Sequence, residues 1–99
     1  MNQRELEAFV TVAKFGRMDL AARALGYSQP AISYQIQCLE QALGVKLFVR
    51  NSTGTAITAS GAIMLPSVKA VLALMNGIKH TVSQRPAHST AVPAGRLPQ

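Results

Sequence analysis

The 99-residue chain can enclose one small core, and a composition of 48% apolar but only 5% aromatic residues favours packed helices over an aromatic-rich sandwich. Its +6 charge is lopsided, because Glu5, Glu7, Asp19 and Glu40 are matched by Arg4, Lys14, Arg17 and Arg23, leaving Lys46, Arg50, Lys69, Lys79, Arg85 and Arg96 as the excess. That balance suits a phosphate-facing protein, with plain solubilising charge as the alternative, and the inventory excludes an enzyme: scattered carboxylates, Cys38, His80 and His88 supply no activated nucleophile, metal shell or cofactor site.

In chain order, Leu6, Phe9, Val10 and Ala13 fall on one helical face and Gly16 follows as a stop. Asp19 precedes Leu20-Ala21-Ala22-Arg23-Ala24-Leu25 and is expected to cap a short helix ended by Gly26, whose alanines permit close approach to a neighbour. Ser28 is a second N-cap with Pro30 in the first turn of a third helix, whose core stripe is Ile32, Ile36, Leu39 and Leu43 before Gly44. Its other face, Gln29, Pro30, Ser33, Tyr34 and Gln37, is uncharged and rich in hydrogen-bonding groups, a set suited to base edges and phosphates. Val45 to Arg50 and Thr55 to Thr58 then read as two strands of a small hairpin around Asn51-Ser52-Thr53-Gly54.

From Thr58 the pattern turns helical, and Met64, Val68, Val71, Met75, Ile78 and Val82 alternate spacings of four and three, the seam of a coiled coil. Leu65 and Leu72 add a second apolar stripe, so the helix has two surfaces to cover, its own domain and a partner helix; a homodimer is expected. No membrane span is expected, since Pro66, Ser67, Lys69, Asn76 and Gly77 interrupt the apolar run before about 18 residues accumulate. The expected organisation is a DNA-binding domain over 1–57, a linker and dimerisation helix over 58–84 and a flexible tail or interdomain linker over 85–99. A single cysteine and a polar N-terminus without a signal peptide point to the cytoplasm.

The order of helix, Ala-rich short helix, Ser28-Gln29-Pro30-Ala31-Ile32-Ser33-led helix, hairpin and long helix resembles the N-terminal domain of LysR-type transcriptional regulators, from about Arg4 to Val82. The likeness is carried by Phe9-Val10, Gly16, Ala21-Ala22, Leu25, the serine-led run, Ile36, Leu39-Glu40, Leu43-Gly44, Leu47-Phe48, Arg50 and Thr58-x-x-Gly61. It implies a mainly α fold, a winged helix-turn-helix with a three-helix core, a β-hairpin wing and a long C-terminal dimerisation helix. It also implies sequence-specific binding to double-stranded DNA at interrupted palindromes, and tetramers in full-length members.

Carried over by residue, the DNA-facing positions are Ser28, Gln29, Pro30, Ser33, Tyr34 and Gln37 on the helix and Arg50 and Thr53 at the wing. The chain departs from the family at Tyr34, often basic there, and at a wing reading Asn51-Ser52-Thr53-Gly54-Thr55-Ala56 where arginines are usual. The family's effector-binding domain would begin where the chain ends, so no small-molecule effector is expected to bind these residues. The alternative function is a dimerisation module that modulates a full-length regulator by heterodimerisation.

Overall fold

The computed structural model describes residues 1–84, and the tail expected at 85–99 lies outside them. In order, the elements are α1 (Gln3–Phe15), α2 (Met18–Leu25), α3 (Gln29–Leu43), β1 (Phe48–Asn51), β2 (Gly54–Ile57) and α4 (Ala59–Gln84). This is a mainly helical winged helix-turn-helix followed by a long helix.

Local signals set the boundaries. Asn2 Oδ1 accepts from Glu5 N (2.9 Å) to open α1, and Ser28 Oγ accepts from Ala31 N (3.2 Å) to open α3. The first three helices end at Gly16, Gly26 and Gly44 in the left-handed conformation. At α2 the expected cap is displaced. Arg17 is the cap residue and makes no side-chain cap bond, whereas Asp19 lies inside the first turn. The Asp19 carboxylate instead receives the Arg17 guanidinium, Nε to Oδ1 at 3.0 Å and Nη2 to Oδ2 at 2.8 Å.

Phe9, Val12, Ile32, Leu39 and Leu47 are fully buried at the centre of the core, and Phe48 meets Phe9 edge-on with ring centroids 5.5 Å apart. The buried face of α1 is rotated from the expected stripe: Ala8 and Val12 are buried, while Val10 and Ala13 are half-buried. Val10 and Ala13 border a hollow shared with Leu65 and Lys69 of α4, which leaves them partly open to water.

The hairpin pairs Phe48 with Ile57, Arg50 with Thr55 and Asn51 with Gly54, so its loop is only Ser52-Thr53. Thr55 N donates to Gly16 O (2.9 Å), which pins the wing to the turn between α1 and α2. Contact there is close enough that a Cβ on Gly54 would lie 2.5 Å from Gly16 O and 2.9 Å from Arg17 Cγ. Thr58 then opens α4 and ties it to the segment before β1. Its N donates to Leu47 O (2.9 Å), and its hydroxyl donates to Lys46 O (2.6 Å) while accepting from Gly61 N (3.0 Å).

The 26 residues of α4 span about 39 Å and continue through Asn76-Gly77. The expected dimer seam does not coincide with the free face of this helix. Val68 is buried with Leu72, and Met64 and Met75 are half-buried against the same core, because α4 crosses α1 of its own chain. Val71, Ile78 and Val82 of the seam remain exposed, joined by Ile63 and Leu74, which the seam omitted. Ala59–Val82 contains an 18-residue window with a mean hydropathy of 1.5 and is long and apolar enough, by length and composition, to cross a membrane. The polar interruptions therefore do not lower its apolar character as far as expected.

Gly61 sits where α4 meets the hairpin, and a Cβ there would lie 2.6 Å from Leu47 O and 2.8 Å from Ile57 Cγ1, whereas Gly77 has nothing within 4 Å. Gly61→Ala should destabilise by about 1–3 kcal/mol through overpacking against backbone, despite the gain in helix propensity. Gly77→Ala should instead stabilise by up to about 1 kcal/mol. Urea denaturation of the two variants checks the opposite signs.

Candidate nucleic-acid interface

Three elements converge on one side of the domain: the N-terminal half of α3, the segment leading into β1, and the hairpin. Ser33 and Gln37 lie one turn apart and border an open cleft whose other wall includes Lys46, Arg50 and Thr55. Their flank of α3 faces the wing because Ile32, Ile36 and Leu39 turn the adjoining side into the core, with Ile36 also lining the cleft. The cleft presents amide, hydroxyl and cationic groups, with Glu40 as its acid.

The expected site residues divide into two groups. Ser33, Gln37 and Arg50 meet at the cleft. Ser28, Gln29 and Pro30 are exposed at the leading end of α3, although the Ser28 hydroxyl is already engaged in its cap. Thr53 is exposed in the hairpin loop, where its N and Oγ1 both donate to Asn51 Oδ1, at 3.1 Å and 3.2 Å.

Tyr34 is 63% exposed, but it is not among the residues of the cleft with Ser33. A hydrogen bond and electrostatic interaction with Cys38, one turn along, raise its hydroxyl above the ordinary tyrosine range, so it remains a neutral group near pH 7. Lys46 and Thr55 belong to the cleft but were absent from the expected set. Lys46 carried a signal, being the first cation of the basic half and only a few residues before Arg50.

Glu40 fixes the wing relative to α3. Its Oε2 accepts from Leu47 N (2.8 Å) and, less closely, from Phe48 N (3.4 Å), while Oε1 lies 3.6 Å from Lys46 Nζ. The amide bonds are partly buried, so they outweigh the ion pair, whose lysine is 77% exposed and largely screened. Glu40→Ala should therefore cost about 1–3 kcal/mol by stranding the Leu47 amide. Amide hydrogen exchange should accelerate at Leu47 and Phe48 more than in α1; unchanged protection there would refute the anchoring role.

Residues 3–62 match the family described as bacterial regulatory helix-turn-helix protein, lysR family. The chain is 40% identical over 92 residues to the HTH-type transcriptional regulator BbuR of Bordetella bronchiseptica, covering 93% of this chain and 27% of that protein. It is 46% identical over 72 residues to the HTH-type transcriptional regulator ClcR of Pseudomonas putida, covering 73% of this chain and 24% of that one. This chain thus spans about a quarter of the length of these relatives. Among solved structures it is similar to the CbnR DNA-binding domain in complex with DNA, with a TM-score of 0.74 at 38% identity over 86% of this chain and 100% of that one. It is also similar to the BenM DNA-binding domain on benA site 1 DNA, with a TM-score of 0.75 at 30% identity over 85% of this chain and 94% of that one.

Proposed function

Because the chain belongs to the lysR family of bacterial regulatory helix-turn-helix proteins, we propose that it binds double-stranded DNA sequence-specifically and regulates transcription, reading an interrupted palindrome as a homodimer. The observation that carries this reading is the cleft joining Ser33 and Gln37 of α3 to Arg50 and Lys46 at the wing. It combines groups that recognise base edges with groups that hold phosphates, in a domain similar to ones solved on DNA. In this account α3 enters a major groove with Gln29, Pro30, Ser33 and Gln37 toward the bases, and Ser28 at its leading end near the backbone. Arg50 and Thr53 follow the adjacent backbone, and Tyr34 packs beside the sugar-phosphate chain. The matched relatives are regulators, not enzymes. A DNA partner implies the cytoplasm.

The domain division follows the same logic: residues 1–57 read DNA, and 58–84 space and pair the readers. The outer stripe of α4, Ile63, Val71, Leu74, Ile78 and Val82, is the surface we assign to a second copy. A lipid occupant is disfavoured because Val68 and Leu72 hold the same helix against a charged domain, and Lys69 and Lys79 lie within its length. Val71→Asp should give a folded monomer in sedimentation that binds a two-half-site duplex much more weakly than wild type does, down to the affinity of a single half-site. An unchanged dimer would remove this stripe from the interface.

Base and backbone contacts are separable. On a site selected from a random duplex library, Gln29→Ala or Ser33→Ala should cost about 1–3 kcal/mol and relax preference at one or two base positions. Arg50→Ala should weaken selected and unrelated duplexes alike and reduce the salt slope by about 0.9. Fluorescence anisotropy across salt concentrations distinguishes the two patterns; wild-type behaviour of both helix variants would mean that α3 is not the reader.

A further inference from the structure

The fork between Arg17 and Asp19 stands at the edge of the proposed DNA-binding face. Thr55 N on Gly16 O brings the wing against the start of α2, and Arg17 Cγ lies against Gly54. Met18, the next residue, lines the cleft with Ser33, Gln37 and Arg50. In helix-turn-helix docking the first helix of the motif crosses the sugar-phosphate backbone, and a guanidinium beside it meets phosphate through the same two-pronged geometry that it offers a carboxylate. Here both prongs are already engaged, at 3.0 Å and 2.8 Å.

We propose that Asp19 is a built-in competitor for DNA phosphate, its carboxylate occupying the Arg17 guanidinium until a duplex displaces it. The inference rests on the DNA-binding reading above. Arg17 supplies no side-chain cap to α2, so the carboxylate of Asp19 also stands in the first turn of that helix, where an anion is favoured. Partial desolvation opposes its ionisation, but the Arg17 hydrogen bond and charge prevail and hold the group below its ordinary value, so the competitor stays charged at neutral pH.

The pair is displaceable. Arg17 and Asp19 side chains are 54% and 38% exposed, and an ion pair so open to water is worth little. Lys46 is similarly near Glu40, at 3.6 Å, whereas Arg50 has no ion-pair partner among the described residues. The face therefore approaches DNA with two of these three cations already matched by acids. Asp19 makes Arg17 a conditional phosphate contact, formed when the rest of the interface holds the backbone close enough to replace the carboxylate.

The test uses the full chain and fluorescence anisotropy with a library-selected duplex and an unrelated one, between about 50 and 200 mM salt. Asp19→Asn keeps a capping-competent side chain but frees the guanidinium. It should bind both duplexes severalfold more tightly, with a log–log salt slope steeper by about 0.9. Adding Arg17→Ala should abolish that gain, and the loss on Arg17→Ala should be smaller beside Asp19, which already competes for the guanidinium, than in the Asp19→Asn background. Asp19→Ser serves the same purpose if thermal melting shows that the asparagine variant is unfolded. Folded Asp19 variants that bind like wild type, or a gain that survives loss of Arg17, would overturn the proposal while leaving the DNA-binding reading intact. A wild-type chain that retains neither duplex would remove that reading and this inference together.

Discussion

The short segment Lys46-Leu47-Phe48 is the constraint on which the rest of the structure depends. Its amides are held by Glu40 at the end of α3, its carbonyls by Thr58 at the start of α4, and Leu47 is fully buried between them. One stretch of backbone thus fixes three bodies at once: the helix proposed to enter the groove, the wing and the long helix. Gly61 belongs to this junction because the first turn of α4 passes within 2.6 Å of Leu47 O, measured from the Cβ it lacks. A rigid junction lets separate base and phosphate contacts act in register, and an error of about an ångström in either would lose bonds that must form together.

The electrostatics of the proposed interface complement that rigidity. No charge lies on α3 before Glu40, and Arg17 and Lys46 each stand beside an acid. On the proposed reading such a face would release few counterions on meeting a duplex, so a larger share of binding would fall to hydrogen bonds from Gln29, Ser33 and Gln37, and a single half-site would be read modestly. Pairing through the outer stripe of α4 would multiply two modest affinities by making the second contact intramolecular.

Much of this architecture was legible in the residues. The serine-led start of α3, its stripe of Ile32, Ile36 and Leu39, the glycine stops and the Thr58 cap are local signals, and each element lies where they predict it. What the sequence concealed was the choice of partner, between near neighbours at Asp19 and between distant segments elsewhere. Asp19 reads as a cap because the pattern of residue types is right, and only the folded chain brings the Arg17 guanidinium around to claim it. The apolar seam of α4 mixes positions with different surroundings, since periodicity records that a side chain avoids water and not which surface covers it; Val68 covers the core while Ile78 is left outside. Lys46 and Thr55 are separated in sequence yet share a cleft with Ser33, a juxtaposition set by hairpin register rather than by any motif.

The central claim is that the Ser33 and Gln37 flank of α3 and the wing form one DNA-contacting surface, with the outer stripe of α4 on a different one. Mapping backbone amide shifts while a library-selected duplex is titrated into the labelled chain tests it directly. The account predicts the largest changes over residues 28–37 and 46–55, with Leu74 and Ile78 little affected. Changes concentrated on the outer face of α4, with residues 28–37 undisturbed, would contradict it.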